Sequence, residues 1–167
     1  MFPDDVTLLA NQVVSALTER NMTIVTAESC TGGLIAGVLT EISGSSAAVY
    51  GGFVTYANEA KIEMIGVPMA TLEAHGAVST ETARAMAEGA LKASPAQIAI
   101  AVTGIAGPTG GSAEKPVGLV HFGCATPGNT LVREHRFDPD LGRGGIREAT
   151  VREALRLVLE ALSADQP

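Results

Sequence analysis

In the stretch TAESCTGGLIAGVLTEI, two potential nucleophiles, Ser29 and Cys30, stand directly before Thr31, Gly32 and Gly33. The apolar run ahead of them reads as a strand ending near Ala27, and the run behind them as a helix starting near Thr31 or Gly32. Such a turn leaves backbone N–H groups unpaired beside the positive end of the helix dipole, so it can hold a nucleophile and stabilise an anion next to it. The same residues equally fit a plain helix cap, with the Ser29 or Thr31 hydroxyl accepting a backbone N–H. The spacing is not the G-x-S-x-G elbow, because Ala27 and Thr31 hold the glycine positions, and no lysine follows the glycines as a Walker loop requires.

A second stretch, YGGFVTYANEAKIEMIGVP, reads as a strand to Tyr56 followed by a short helix capped by Asn58, with Lys61 in its first turn. The dipole repels a cation there and lowers its pKa, although a solvated surface lysine fits the same position. Gly51 and Gly52 inside the strand point to close approach of another backbone or a ligand. A third stretch, the Gly/Pro-rich TGIAGPTGGSAEKPVG, follows a buried strand and includes Thr103, Gly104, Ile105, Ala106 and Gly107. Its backbone can line a binding crevice, or it is a plain connection. In DLGRGGIRE, Arg143 and Arg147 stand four apart on the opening turn of the last helix, spaced to clamp a phosphate or to pair with Asp140 and Glu148. His75, His121 and His135 are scattered, with no metal-ligand spacing, and read as structural; no metal site is expected.

The elements that must position these groups follow from apolar periodicity. Val6, Leu9, Ala10, Val13, Val14 and Leu17 form one helical stripe behind Pro3-Asp4-Asp5. Ala83, Met86, Ala87, Ala90 and Leu91 form a second stripe, and Val151, Ala154, Leu155, Val158, Leu159 and Leu162 a third. The Glu148–Arg152 and Arg156–Glu160 spacings give surface pairs on that last helix. Met22–Ala27, Val49–Tyr56, Gln97–Thr103 and Val117–Ala125 read as buried strands, and Thr130–Phe137 as an edge strand. Helices and strands alternate and then two strands adjoin, which predicts a single three-layer α/β/α domain with a mixed central sheet; SADQP closes the chain as a frayed tail.

Composition agrees and sets limits on function. Apolar residues make up 46% and charged residues 17%, against disorder, and 19 glycines with 4% aromatics suit an α/β core of small side chains. A net charge of −7 without a basic run argues against nucleic-acid polymers as partners. Two cysteines make no disulfide framework, the N-terminus lacks a signal-peptide pattern, and no apolar run is long enough to span a bilayer. A cytoplasmic, non-membrane protein that forms a homo-oligomer is expected.

TAESCTGGLIAGVLTEISGSS, GGFVTYANEAKIEMIGV, HGAVSTETARAMAEGA, AVTGIAGPTGG and VGLVHFG, in that order, resemble the nicotinamide-nucleotide amidase (PncC) family, which is also the C-terminal domain family of the competence/damage-inducible CinA proteins. The resemblance runs from about Val6 to Leu162 and implies hydrolysis of the carboxamide of nicotinamide mononucleotide, without a cofactor. It implies Ser29 as nucleophile, Lys61 as general base and Tyr56 as a residue assisting that base. The segments Cys30–Gly33 and Thr103–Gly111 and the turn carrying Arg143 and Arg147 correspond to the substrate pocket. Larger CinA proteins carry a further N-terminal domain resembling molybdopterin-binding proteins; this chain is expected to have only the amidase-like domain, over residues 1–167.

The chemistry sets a condition on the fold. A free lysine has a pKa of about 10.4, so only about one in a few thousand is neutral at pH 7. A shift of about 3 units, or roughly 4–5 kcal/mol, is needed for efficient base catalysis. Lys61 must therefore be substantially buried and within reach of Ser29. Backbone N–H groups near Cys30–Gly33 or Gly104–Gly107 would hold the oxyanion, and Cys30 is the rival nucleophile. Two other readings keep the fold: a non-catalytic nucleotide-binding module, and an amidase for another small carboxamide.

Overall fold

The β-branched and alanine-rich runs become strands, and the three-to-four-residue apolar periods become helices. The computed structural model describes residues 1–164. Its first half runs α1 (Asp4–Glu19), β1 (Ile24–Glu28), α2 (Leu34–Glu41), β2 (Val49–Val54), α3 (Asn58–Ile65), α4 (Met69–His75) and α5 (Thr80–Lys92). Its second half runs β3 (Ile98–Gly104), β4 (Leu119–Thr126), β5 (Asn129–Arg136) and α6 (Gly142–Ala164). The strands form one sheet in the order β2-β1-β3-β4-β5; β1 is parallel to both β2 and β3, and β4 and β5 are antiparallel additions. This is the expected mixed sheet. No helix among the described residues is long and apolar enough to cross a membrane.

Alternation along each strand splits the core into two layers. Ile98, Ile100 and Val102 of β3 and Phe122 of β4 pack with Val13, Leu17, Leu155 and Val158 of α1 and α6. The other face is built small: Ala99 and Ala101 of β3 and Ala125 of β4 meet Met86, Ala87 and Ala90 of α5. That is why the α5 segment is rich in alanine. Gly123 of β4 is part of the same fit, since a Cβ there would strike the Ala83 carbonyl.

Several expectations need correction. Val49–Val54 is an outer strand of alternating half-buried and exposed residues, because β1 covers only one of its edges. It ends two residues short of Tyr56, where the Thr55 and Tyr56 carbonyls turn to accept from Lys61. Helix α2 starts at Leu34, after a turn in which Gly32 and Gly33 take left-handed φ of 57° and 102°. Asn58 is the first helical residue of α3 and not its cap, a position held by Ala57 without a side-chain bond. Arg156 pairs with Glu153 instead of Glu160, which is taken by Arg133 of β5. Ser163 and Ala164 extend α6, with Ser163 Oγ donating to the Leu159 carbonyl, and the remainder of the expected tail lies outside the described residues.

Two packing details fix α3, the helix that carries Lys61. Ile65 joins the α5 core layer, and Gly89 of α5 lies directly against its carbonyl, where a Cβ would collide with the oxygen. In an open helix Gly→Ala gains about 1 kcal/mol. Here overpacking reverses the sign, so Gly89→Ala is expected to lower stability by about 1–3 kcal/mol, read from the midpoint of a urea denaturation curve.

Candidate active site

Strands β1, β2 and β3 run parallel, so their C-terminal ends meet on one side of the sheet. There the connections from β1 and β3 diverge, the place where α/β sheets open a crevice. A cleft of about 340 Å³ lies at this point. Ser29 and Cys30 contribute from the end of β1, Tyr56 and Lys61 from the β2–α3 junction, and Thr103 to Gly107 from the end of β3, while Arg143 reaches in from α6. Ala77, Val78, Thr109 and Gly110 complete the lining. Ala77 and Val78 carry no chemical signal in the sequence; the Ala77 carbonyl enters the wall because Thr103 Oγ1 donates to it at 2.7 Å.

Lys61 is 1% exposed, which meets the condition for a base. A helical side chain leans toward its own N-terminus, so Nζ returns to the segment that leads into α3. It donates to the Thr55 carbonyl at 2.8 Å, to the Tyr56 carbonyl at 3.2 Å and to Ser29 Oγ at 3.2 Å. Burial away from water holds its pKa below the ordinary 10.5. With the proton lost, the two carbonyls accept the two remaining N–H groups, and the lone pair is left facing the Ser29 hydroxyl. The amine is thus held as an acceptor for one proton only.

Glu28 is the residue that the motif reading passed over. Its carboxylate is fully buried and accepts four hydrogen bonds, from Thr26 Oγ1, Thr31 Oγ1 and the N–H groups of Ile35 and Ala36. The start of α2 is therefore capped from within the chain. This corrects two expectations: neither Ser29 nor Thr31 caps the helix, and that helix start does not face a ligand. An acidic residue at the end of an apolar strand, directly before Ser29 and with Thr26 and Thr31 at either side, was the available signal. Glu28→Gln turns an amide N–H₂ toward these donors and is expected to cost about 2–4 kcal/mol in chemical denaturation.

Thr31, Gly32 and Gly33 do not line the cleft. They form the turn beneath it, where Arg147 donates from Nε to the Cys30 carbonyl at 3.0 Å and from its terminal nitrogen to the Thr31 carbonyl at 3.1 Å. Arg147 thus ties the Ser29–Gly33 turn to α6, instead of facing the cleft or pairing with Glu148. Arg143 likewise avoids Asp140: it donates to the Gly107 carbonyl at 2.8 Å and to the Tyr56 hydroxyl at 3.1 Å. The Tyr56 phenol consequently belongs to the cleft rim, and it is the Tyr56 carbonyl that touches Lys61.

Cys30 is a poor rival. It is 5% exposed, packs in the α1–α6 core layer, and burial pushes its thiol up to about 11. At neutral pH about one thiol in ten thousand is then ionised. Among backbone donors, Ser29 N–H is spent on Val102, Gly32 N–H on Ser29 and Ile105 N–H on Leu119. Of the cleft residues, Cys30, Ala106 and Gly107 are among those whose N–H groups donate to no backbone carbonyl among the described residues.

Residues 6–162 match the CinA C-terminal domain family. The chain belongs to that family. It is 51% identical over 155 residues to the nicotinamide-nucleotide amidohydrolase PncC of Escherichia coli, across 92% of this chain and 90% of that protein. It is 48% identical over 150 residues to a CinA-like protein of Synechococcus, across 90% of this chain but 36% of that relative. The chain spans only 36–39% of the longer curated relatives it matches. The crystal structure of the competence/damage inducible protein CihA from Agrobacterium tumefaciens superposes with a TM-score of 0.94 at 57% identity, over 98% of both chains. The CinA C-terminal domain fold therefore holds over nearly the whole sequence, including every cleft residue.

Proposed function

We propose that this chain is a nicotinamide-nucleotide amidohydrolase that converts nicotinamide mononucleotide and water to nicotinate mononucleotide and ammonia. The observation that carries the reading is the buried lysine of the cleft, with Nζ 3.2 Å from Ser29 Oγ and two carbonyls on its other sides. Neutral Lys61 takes the Ser29 proton as the oxygen attacks the carboxamide carbon. The N–H groups of Cys30, Ala106 and Gly107 are among the donors available for the tetrahedral oxyanion. Lys61 then returns the proton to the nitrogen, ammonia leaves, and water, activated by the same amine, cleaves the ester on Ser29.

The substrate's phosphate needs a cation, and α2 offers none of its N-terminal charge because Glu28 occupies it. Arg143 is the remaining basic residue of the cleft lining besides Lys61. Its bonds to the Gly107 carbonyl and the Tyr56 hydroxyl hold it at the cleft rim, which supports a role at the nucleotide's anionic end. The net charge of −7 opposes this only weakly, since screening limits it to about 8 Å while Arg143 acts at contact.

An ammonia-release assay on nicotinamide mononucleotide, nicotinamide and glutamine tests the reading. Turnover of the mononucleotide is expected, with Ser29→Ala abolishing it and Cys30→Ala retaining most of it. Release from glutamine alone would place the chain with another amidase specificity, and release from none would leave a binding module. Arg143→Ala is expected to raise KM for the mononucleotide about tenfold to a hundredfold. For the phosphate-free nucleoside it should change KM little.

The pH dependence follows from the lowered Lys61 pKa. The protonated amine cannot accept the serine proton, so kcat/KM should climb with pH through the pKa of Lys61 and level off above it. The midpoint is expected below the ordinary lysine value of 10.5. A rate that falls over this limb would remove Lys61 as the base.

A further inference from the structure

One buried hydroxyl takes part in none of the proton transfers proposed for Ser29 and Lys61. Thr55 is fully buried, and among the described residues its Oγ1 is the one buried side-chain nitrogen or oxygen that no hydrogen-bond partner reaches. Valine has nearly the same shape and suits the end of a strand as well, without a donor to satisfy. A buried hydroxyl with no protein partner points to a bound water or ligand as the partner it has.

The sheet register fixes where this hydroxyl lies. Glu28 is level with Val54 on β2 and with Val102 on β3. The ladder continues one step further, through Thr55 N–H to the Glu28 carbonyl and Ser29 N–H to the Val102 carbonyl. Thr55, Ser29 and Thr103 therefore stand abreast at the ends of three parallel strands about 4.8 Å apart. Alternation puts all three on the α5 side, because Ala27 and Ala101, two positions back, belong to that core layer and Phe53 packs against it. The hydrogen bonds agree: Ser29 Oγ accepts from Lys61 of α3, and Thr103 Oγ1 donates to the Ala77 carbonyl just ahead of α5. Thr103 thus has its partner in the cleft wall. Thr55 Oγ1 has none, and it belongs to the residue whose own carbonyl holds Lys61 Nζ at 2.8 Å.

We propose that the Thr55 hydroxyl binds and orients the water that cleaves the ester on Ser29. The inference rests on the acyl-enzyme route proposed for this cleft. Once Ser29 carries the acyl group, its oxygen has no proton to give, and the Lys61 lone pair turns to water instead. The two N–H groups of the neutral amine stay with the Thr55 and Tyr56 carbonyls, so Lys61 offers this water a single contact. A water is held in one place only by two or more polar partners. Thr55 Oγ1, abreast of Ser29, supplies the second. The water oxygen then adds to the acyl carbon while one of its protons passes to Nζ. The C–Oγ bond breaks, Nζ returns that proton to Ser29 Oγ, and the acid leaves. Acylation needs no such water, because Ser29 is itself the nucleophile in that step. The two half-reactions therefore separate at Thr55.

Rapid-quench ammonia release and intact-protein mass spectrometry, with nicotinamide mononucleotide as substrate of the full chain, test the assignment. Thr55→Val should release its first ammonia at close to the wild-type rate. Later turnovers should then slow about tenfold to a hundredfold, with the acyl group found on the protein. Its kcat and KM should fall together, leaving kcat/KM, which reports acylation, near the wild-type value. Thr55→Ala lacks the same hydroxyl in a looser setting and should show the same burst, so the test does not hang on one variant folding. Thr55→Ser keeps the hydroxyl and should restore steady turnover. A merely structural role would instead lower kcat and kcat/KM alike and leave no acyl group on the chain. That pattern, steady wild-type turnover in Thr55→Val, or a Thr55→Ser enzyme as slow as Thr55→Val would overturn the assignment while the proposed reaction stands. A wild type that releases no ammonia from the mononucleotide would overturn both.

Discussion

A primary amine with 1% exposure is the constraint around which this cleft is organised. Burying an ammonium without partners is costly enough that the group would simply lose its proton or pull water in. Here the Thr55 and Tyr56 carbonyls and the Ser29 hydroxyl surround it, so both protonation states have hydrogen-bond partners. That balance needs β2 to end at Val54, so that the Thr55 and Tyr56 carbonyls stand free of the ladder, and α3 to begin at Asn58. It also needs α3 pressed against α5, a contact that Gly89 alone permits at the Ile65 carbonyl. The small side chains of β3 and β4 under α5 thus bear on the position of Lys61 through the helix they support.

The Ser29 side of the cleft is held with comparable rigidity by different means. Glu28 locks the turn from below through Thr26, Thr31 and α2, and Arg147 locks it from the side through the Cys30 and Thr31 carbonyls. Both residues spend their charge on the protein's own backbone and hydroxyls. The charged groups left facing the cleft are few, which keeps the local field simple: one buried amine at the floor and one guanidinium at the rim.

Much of this was legible in the sequence. Strand and helix identities followed from periodicity because the apolar runs are long relative to element length, and Ser29 and Lys61 stood out because a small polar residue and a cation sit just where helices begin. The destinations of the arginines were not legible. Arg143 and Arg147 are four apart, a spacing that fits a clamp, yet one faces the cleft and the other the turn beneath it, 117 residues back along the chain. Glu28 was missed because an acidic residue at a strand end ordinarily reads as solvated, and only the tertiary packing of α2 onto β1 buries it. The outer position of β2 was hidden for a related reason: its composition resembles a central strand, and strand order is not written in local pattern.

The bond from Arg147 to Cys30 joins the final helix to the first strand–turn, so it has a temporal meaning as well as a spatial one. During synthesis the segment containing Ser29 emerges early and α6 late. The turn therefore waits, without its lateral brace, while almost everything between them is made. A nascent chain can pair β1 with β2 and β3 while the Cys30 and Thr31 carbonyls still lack the partner that the closing helix brings. The oldest part of the chain is thus the last to receive its final hydrogen bonds.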